Sequence, residues 1–253
     1  MNTLRIRNIH IGSGIPKICV PIVSKTKNEI LDEAKNINTL CTDLVEWRVD
    51  YFEDVFEIEK VKITLFEIRT ILGEIPIIFT FRTKNEGGEK AIEASYYLKL
   101  NSEIAKTKNA DLIDVEAFFG DYTVKEIIKK SHDYDVRIIA SNHDFLKTPP
   151  KDEIISRLKM MQDLGADILK IAVMPVHNED VLTLLSATQD MVSKYAHRPV
   201  IAVSMSGKGL VSRVFGEFFG SAVTFGSSKE ASAPGQINAC ELQSMLGMIH
   251  NKL

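Results

Sequence analysis

The chain has 253 residues, 45% of them hydrophobic and 26% charged, which is enough to bury a large core in one or two domains. Its 31 basic and 34 acidic side chains give a formal net charge of -3, which excludes a general attraction to nucleic acid. No apolar run reaches the roughly 20 residues that span a bilayer, and the N-terminus lacks the apolar core of a signal peptide, so we expect a cytoplasmic protein that binds a small molecule and no membrane.

The N-terminal segment, residues 1–17, fits none of the repeating units that follow it. An apolar run from Leu4 to Ile11, a turn at Gly12-Ser13-Gly14 and the entry to the first long strand predict a β-hairpin. We expect this hairpin to close the N-terminal end of the domain.

Eight β-rich runs, each followed by an amphipathic helical run, fill the rest of the chain. Strands joined by crossover helices lie parallel, and eight such units in about 250 residues predict a (β/α)8 TIM barrel. We expect residues 1–253 to form one catalytic domain of this α/β class. An open doubly wound sheet is the main alternative, although no GxGxxG motif follows the first strand. The predicted strands are residues 18–23, 44–50, 77–82, 112–118, 137–143, 168–174, 200–205 and 222–225, and the predicted helices include 28–38, 89–106, 151–164 and 235–249.

The side chains that alternation directs into this barrel are charged or polar on five consecutive strands. Barrel interiors are usually packed with branched apolar residues, and buried ion pairs add little net stability. We therefore favour a functional pocket over an internal network that only satisfies itself. The inward-facing residues are Glu46, Arg48, Asp50, Thr80, Arg82, Asp114, Glu116, Ser141, His143 and Lys170.

Lys170 is a lone lysine within the apolar run of residues 168–174. Because burial disfavours the ammonium form, we expect its pKa to be lowered and its amine to act as a nucleophile near neutral pH. A carbonyl substrate would then be captured as a Schiff base. The ordinary alternative is a lysine whose head reaches water from a strand end.

Six short motifs lie in order on successive β/α units. They are Glu46-Trp47-Arg48-Val49-Asp50, Phe81-Arg82-Thr83 with Glu86-Gly87-Gly88, Ser141-Asn142-His143-Asp144-Phe145, Lys170-Ile171-Ala172, Met205-Ser206-Gly207-Lys208-Gly209 and Ser232-Ala233-Pro234-Gly235-Gln236. Together they resemble the type I 3-dehydroquinate dehydratase family of the shikimate pathway. The resemblance implies a homodimeric hydro-lyase that removes water from 3-dehydroquinate to give 3-dehydroshikimate, without a metal or organic cofactor.

The same resemblance assigns roles to individual residues. Lys170 would attack the C3 ketone, His143 would take the C2 proton and protonate the departing C1 hydroxyl, and Glu86 would fix the tautomer of His143 and raise its basicity. Arg213 resembles a clamp for the substrate carboxylate, and Met205 would pack against the ring. Residues 226–236 resemble a lid that closes over the substrate. The remaining substrate contacts that the resemblance implies are Glu46, Arg48, Arg82, Ser232 and Gln236.

Three other functions compete with this one. A Schiff-base aldolase could bind sugar phosphates through Gly207-Lys208-Gly209 and Gly226-Ser227-Ser228. A metal-dependent lyase or isomerase could use the carboxylates of Glu46, Asp50, Asp114 and Glu116, although neighbouring cations would repel the metal ion. A non-catalytic barrel would bind the substrate without turnover.

Overall fold

The computed structural model describes residues 3–228 and 237–253. The strands are β1 Leu4–Ile6, β2 Ile9–Ile11, β3 Lys17–Ile22, β4 Leu44–Arg48, β5 Ile77–Thr80, β6 Leu112–Glu116, β7 Arg137–Asp144, β8 Ile168–Val173, β9 Val200–Ser204 and β10 Val223–Phe225. Eight of them form one parallel sheet in the order β10-β3-β4-β5-β6-β7-β8-β9, with helices between successive strands, and β1 and β2 form a separate antiparallel pair. The helices are α1 Lys27–Ile37, α2 Ile58–Leu72, α3 Ala94–Thr107, α4 Asp121–His132, α5 Lys151–Asp163, α6 Asn178–Asp190, α7 Leu210–Val214, α8 Gly216–Phe219 and α9 Ala239–His250.

The two edges of the sheet meet between β9 and β10. The backbone N–H of Ala222 donates to the carbonyl of Val200 at 2.7 Å, and Val200 forms an isolated bridge with Ser221. These contacts bring the first and last strands together into a nearly closed barrel. The predicted TIM barrel is therefore confirmed, and the open doubly wound sheet is wrong. No helix of the described ranges is both long and apolar enough to cross a membrane.

Two apolar layers hold the barrel. The outer layer lies between the strands and the helices, where the ring of Trp47 packs against Phe52 and Phe79 at centroid distances of 5.9 and 5.7 Å. The inner layer fills the barrel near the beginnings of its strands. Its buried members include Cys19, Leu44, Ile78, Leu112, Ile139, Ile168, Ile201 and Val223.

The N-terminal hairpin covers this inner layer, but its turn is not where the sequence predicted it. The strands pair Leu4 with Ile11 and Ile6 with Ile9, so the chain turns at residues 7–8, with Arg7 at a φ of 50°. This register places all four apolar side chains on one face of the hairpin, and Ile6 and Ile11 join the inner layer. A turn at residues 12–14 would not pair them in this way, so that part of the prediction is wrong.

Six of the eight barrel strands end one or two residues earlier than predicted at the C-terminal rim, whereas β7 ends one residue later and β10 ends where predicted. Beyond β5, the backbone N–H of Arg82 donates to Asp50 (3.3 Å) and that of Thr83 donates to Glu116 (2.7 Å). Carboxylates thus replace the neighbouring strand as hydrogen-bond partners, and the chain leaves the sheet. Asp50 itself lies in a 3-10 turn, Val49–Tyr51, and does not project from a strand into the barrel as predicted.

The hairpin should contribute measurably to stability because Ile11 is fully buried in the inner layer. We expect Ile11→Ala to lower the free energy of unfolding by about 2–5 kcal/mol. Urea denaturation followed by circular dichroism measures this loss. His10→Ala, at the exposed neighbouring position, is the control and should change stability by no more than about 0.5 kcal/mol. Equal effects of the two substitutions would contradict the packing of the hairpin onto the barrel.

Candidate active site

A cavity of about 450 Å³ opens at the end of the barrel where the strands finish. This is the end at which barrel enzymes carry their catalytic groups. Six of the ten residues to which the family resemblance gives a catalytic or substrate-binding role lie on its wall, whereas Arg82 and Glu86, among the described residues, do not line it. The six are Glu46, Arg48, His143, Lys170, Met205 and Arg213.

The amine of Lys170 lies on the cavity wall between two carboxylates. Lys170 is 4% exposed, and its Nζ lies 2.9 Å from Asp114 Oδ2 and 3.4 Å from Glu46 Oε1. The ring of Phe225 covers the amine with its centroid 4.8 Å away. The side chain thus does not reach open water from a strand end, which was the ordinary alternative.

The pKa of Lys170 is raised, opposite to the sequence-based expectation. Burial alone lowers it, as predicted, but the carboxylates of Asp114 and Glu46 outweigh both burial and the repulsion from Arg82. The prediction was wrong because it counted the apolar neighbours along β8 and not the acids on the facing strands. Lys170 is therefore an ammonium ion in the ligand-free protein.

Arg82 and Asp114 form a buried ion pair next to this amine. Arg82 Nη2 lies 2.7 Å from Asp114 Oδ1, while its Nη1 donates to Ser141 Oγ at 2.9 Å and lies 3.3 Å from Glu116 Oε1. Burial would raise the pKa of Asp114, but Arg82 and Lys170 hold it well below its ordinary value. Asp114 is thus a fixed negative charge shared by two cations.

His143 and Glu86 form a hydrogen-bonded pair beside the cavity. Glu86 Oε2 lies 2.9 Å from His143 Nδ1 and accepts the backbone N–H of the same residue at 2.8 Å. Because an ionised Glu86 can only accept, Nδ1 carries the proton of the neutral ring, and Nε2 is left with a free lone pair. The pair therefore provides a base with a defined tautomer.

The pKa values of this pair move in opposite directions. Burial is the largest influence on Glu86 and raises its pKa to about 7. Burial, followed by the repulsion from Arg82 and Lys170, lowers the pKa of His143 well below its ordinary value. The expected increase in the basicity of His143 is thus wrong as a net effect, because the surrounding cations and burial dominate. The imidazole is neutral at pH 7 and can accept a proton.

Arg213, on α7, is a buried cation without an acidic partner among the described residues. It is 7% exposed, Nη1 donates to the carbonyl of Phe225 at 3.3 Å, and no described residue accepts a hydrogen bond from Nε. Burial alone lowers its pKa. A buried guanidinium with unmet donors on a cavity wall favours an anionic ligand, and its planar fork suits a carboxylate.

Arg48 is a second arginine on the cavity wall. Its Nε and Nη2 each lie 2.8 Å from one oxygen of Asp50, and its guanidinium lies 5.1 Å from the centroid of the Tyr51 ring. This bidentate pair and the stacked ring fix the plane of the guanidinium. Asp50 therefore positions Arg48, and both of its carboxylate oxygens are occupied by that guanidinium.

The phosphate and metal alternatives gain no support from the geometry. In the proposed phosphate loop, the exposed amine of Lys208 already donates to the carbonyl of Val176 at 2.6 Å. Gly209 has a structural explanation of its own, because a Cβ at this position would lie 2.0 Å from the carbonyl oxygen of Ser204. The carboxylates proposed as metal ligands are paired with Arg48, Arg82 and Lys170. Within residues 3–228 and 237–253, no group of three or more His, Cys, Asp or Glu side chains could hold a metal ion.

Part of the predicted lid lies outside the described residues. Ser232 and Gln236 both fall in that part, so their predicted contacts remain predictions. The described ends of the segment are joined, since the backbone N–H of Ser227 donates to the carbonyl of Ile237 at 2.9 Å. Sequence reasoning also left two contacts of Lys170 without a role, namely Asp114 and Phe225. Alternation had placed Asp114 inside the barrel, and no sequence signal marked Phe225.

The comparison with known proteins agrees with this geometry. The profile of the type I 3-dehydroquinase family matches residues 18–253. The chain belongs to the type I 3-dehydroquinase family. It is 58% identical over 250 residues to the 3-dehydroquinate dehydratase of Clostridium botulinum, a match that covers 99% of this chain and 98% of the relative. The type I enzyme of Clostridium difficile, solved with covalent modified comenic acid, superposes with a TM-score of 0.98 at 53% identity over 100% of both chains.

The carboxylate of Asp114 should control the charge of Lys170. We expect Asp114→Asn to lower the pKa of Lys170 by about one pH unit or more, because the closest negative charge is lost. The pH dependence of reductive methylation at Lys170, mapped by peptide mass spectrometry, measures the change. Ser141→Ala is the matched control, since it removes a neutral hydroxyl group that donates to Asp114 at 2.6 Å and accepts from Arg82 at 2.9 Å; it should move the pKa of Lys170 much less. An unchanged pKa in Asp114→Asn would show that the ion pair does not determine the charge.

Proposed function

We propose that this protein is a hydro-lyase that converts 3-dehydroquinate into 3-dehydroshikimate through an iminium ion at Lys170. The observation that carries the proposal is the buried amine of Lys170 on the cavity wall, with a neutral His143 on the neighbouring strand β7. Glu86, in the loop after β5, holds that imidazole in place. The substrate is supported by relatives named 3-dehydroquinate dehydratase that match the whole chain at 58% and 53% identity. The covalent ligand in the relative from Clostridium difficile supports covalent chemistry.

The first step joins Lys170 to the C3 ketone. The amine attacks the carbonyl carbon, the ketone oxygen leaves as water, and a C=N bond replaces the C=O bond. An ammonium ion and a ketone give an iminium ion and water without a change in net charge. Asp114 and Glu46, at 2.9 and 3.4 Å from Nζ, face a positive charge before and after the reaction. They stabilise the protonated imine, which is the electron-withdrawing form.

The second step removes a proton from C2. The iminium ion draws electrons from the adjacent C–H bond, so that Nε2 of His143 can take the proton and leave an enamine. The enamine expels the C1 hydroxyl, which receives the proton from His143 and leaves as water. Hydrolysis of the imine then releases the product and restores the amine. Glu86 keeps Nδ1 protonated and thereby directs Nε2 to the substrate.

Substrate recognition follows the charges on the wall. Arg213 would bind the substrate carboxylate, since its buried guanidinium has unmet donors. Arg48 and Glu46 would bind ring hydroxyls, and Met205 would pack against the ring. Arg82 was predicted to bind substrate as well. Its side chain is engaged with Asp114, Ser141 and Glu116 and does not line the cavity, which supports a role in positioning Asp114.

The cellular setting is also part of the proposal. An enzyme with this activity acts in the shikimate pathway, towards chorismate and the aromatic amino acids. We propose that it works in the cytoplasm as a homodimer; the dimer rests on the family resemblance alone. Sedimentation equilibrium of the purified protein tests the dimer, and a single species at the monomer mass would contradict it.

Borohydride trapping tests the covalent step. We expect wild-type protein incubated with 3-dehydroquinate and sodium borohydride to gain the mass of a reduced adduct at Lys170. Lys170→Ala should gain no mass and lose turnover by about a thousandfold or more, because the imine cannot form. His143→Ala should form the imine and then accumulate it, since the C2 proton is not removed. Normal turnover in either variant, followed by product absorbance, would refute the assigned roles.

The proposed contact between Arg213 and the substrate carboxylate predicts how KM responds to substitution of Arg213. Arg213→Met should raise KM for 3-dehydroquinate by about a hundredfold, while Arg213→Lys should raise it less because the charge remains without the planar fork. Steady-state kinetics on the two variants measures the difference. Lys208→Met is the control at a nearby exposed cation and should leave KM within about twofold of wild type. A KM that Arg213→Met leaves unchanged would exclude the clamp.

A further inference from the structure

We propose that Asn142 and Arg157 are positioning residues for the reaction, with Arg157 orienting the Asn142 amide so that it donates to Glu86. This inference rests on the proposed role of the His143 and Glu86 pair. It extends the site outward, from the cavity through β7 to helix α5 on the outside of the barrel. Neither Asn142 nor Arg157 lines the cavity.

Asn142 lies between the barrel and its helices. Its neighbours in β7, Ser141 and His143, face the barrel interior, so alternation turns Asn142 towards α5. Asn142 is 8% exposed in a layer that is otherwise packed with apolar side chains. A buried amide in such a layer needs partners for its oxygen and its nitrogen. It has one on each side.

The two partners determine which way the amide faces. Arg157 Nη1 donates to Asn142 Oδ1 at 2.8 Å, and Asn142 Nδ2 donates to Glu86 Oε1 at 3.0 Å. A guanidinium can only donate, so the amide oxygen must face Arg157 and the NH₂ group must face Glu86. Turning the amide over would place its oxygen against a carboxylate oxygen and its NH₂ group against a cation. Arg157 thus selects the orientation that serves Glu86.

The donated hydrogen bond favours the ionised form of Glu86. Burial raises the pKa of this carboxyl to about 7, whereas Arg82, the Asn142 amide and the His143 backbone N–H lower it. The titratable and charged groups that face Glu86 are the Arg82 guanidinium at 3.6 Å, the neutral His143 imidazole at 2.9 Å and Glu116 of β6, which repels it. With its pKa so close to neutrality, the loss of one donor changes the ionised fraction of Glu86 at pH 7. Only the ionised form holds His143 with Nε2 free.

Arg157 is itself held in place by acids. Glu153 on the same helix forms an ion pair with it, and Asp144 Oδ2 lies 3.9 Å from Nη1. The guanidinium also lies 5.8 Å from the centroid of the Phe118 ring. These contacts hold the guanidinium against Asn142 without involving any group of the cavity.

Three variants test the inference through the pH profile of kcat/KM, which reports the pKa values of the free enzyme. Glu86 must be ionised for the reaction, so kcat/KM should rise with pH through about 7 in the wild type. Losing the donor raises the pKa of Glu86, so this acid limb should move up by about one pH unit in Arg157→Met and Asn142→Leu. Asn142→Asp keeps the size and can still pair with Arg157, but it donates nothing to Glu86. The acid limb should move up in that variant by at least as much.

A double-mutant cycle asks whether Arg157 acts through Asn142. Arg157→Met should produce no further movement of the acid limb when added to Asn142→Leu. Lys159→Met, which removes an exposed cation from the same helix, is the matched control and should leave the limb where it is. Three outcomes would overturn the proposal: an unmoved limb in Arg157→Met, a wild-type profile in Asn142→Asp, or additive effects in the double variant.

A titration without substrate separates this inference from the proposed function. The carboxyl carbon of Glu86, labelled with ¹³C and assigned from the Glu86→Gln spectrum, reports its pKa by NMR in the ligand-free protein. We expect a value near 7 in the wild type and a higher one in Arg157→Met and Asn142→Asp. Equal values would overturn the inference even if the enzyme is active. A wild type that does not turn over 3-dehydroquinate, with the NMR shift intact, would instead refute the proposed function.

Discussion

The ion pair between Lys170 and Asp114, deep in the barrel, is the interaction on which the rest of the site depends. Two charges buried this far lose most of their hydration, and they are tolerated because each has further partners. Arg82 forms a second ion pair with Asp114, and Glu46 forms a second ion pair with Lys170. Arg82 also binds Ser141 and Glu116, and Glu116 accepts the backbone N–H of Thr83 just beyond β5. The network therefore contributes to where β5 ends as well as to where the amine lies.

This ion pair also changes how the lysine works. A lysine with a lowered pKa would be neutral at rest and ready to attack, but its imine would also tend to lose its proton. The two acids near Lys170 stabilise the cation instead, so in the proposed mechanism the free amine would arise only transiently. The same acids would then keep the imine protonated, which is the form that acidifies C2. Under this proposal the site stabilises the protonated imine at the expense of an easy first attack, and the neutral His143 would remove the proton.

Much of this was predictable from alternation along the strands, and the exceptions have physical causes. The eight β/α units predicted the barrel, and alternation along residues 44–50 and 168–174 predicted Glu46, Arg48 and Lys170 inside it. The charge of Lys170 was not predictable, because it depends on distances to acids that are 56 and 124 residues away in the chain. The turn of the hairpin followed the need to bury Ile6 and Ile11 together, not the glycines. Asn142 and Arg157 lie on different elements, β7 and α5, and no sequence pattern indicated the hydrogen bond that joins them.

The number of protons exchanged when the imine forms tests this account most directly. His143→Ala, which should stop at the imine, can be titrated with 3-dehydroquinate at pH 8.5 by calorimetry in buffers of different ionisation enthalpy. An ammonium ion that becomes an iminium ion keeps its charge, so the account predicts close to zero protons exchanged per adduct formed. Uptake of close to one proton per adduct would mean that Lys170 is neutral at rest, and would contradict the central role of its ion pair with Asp114.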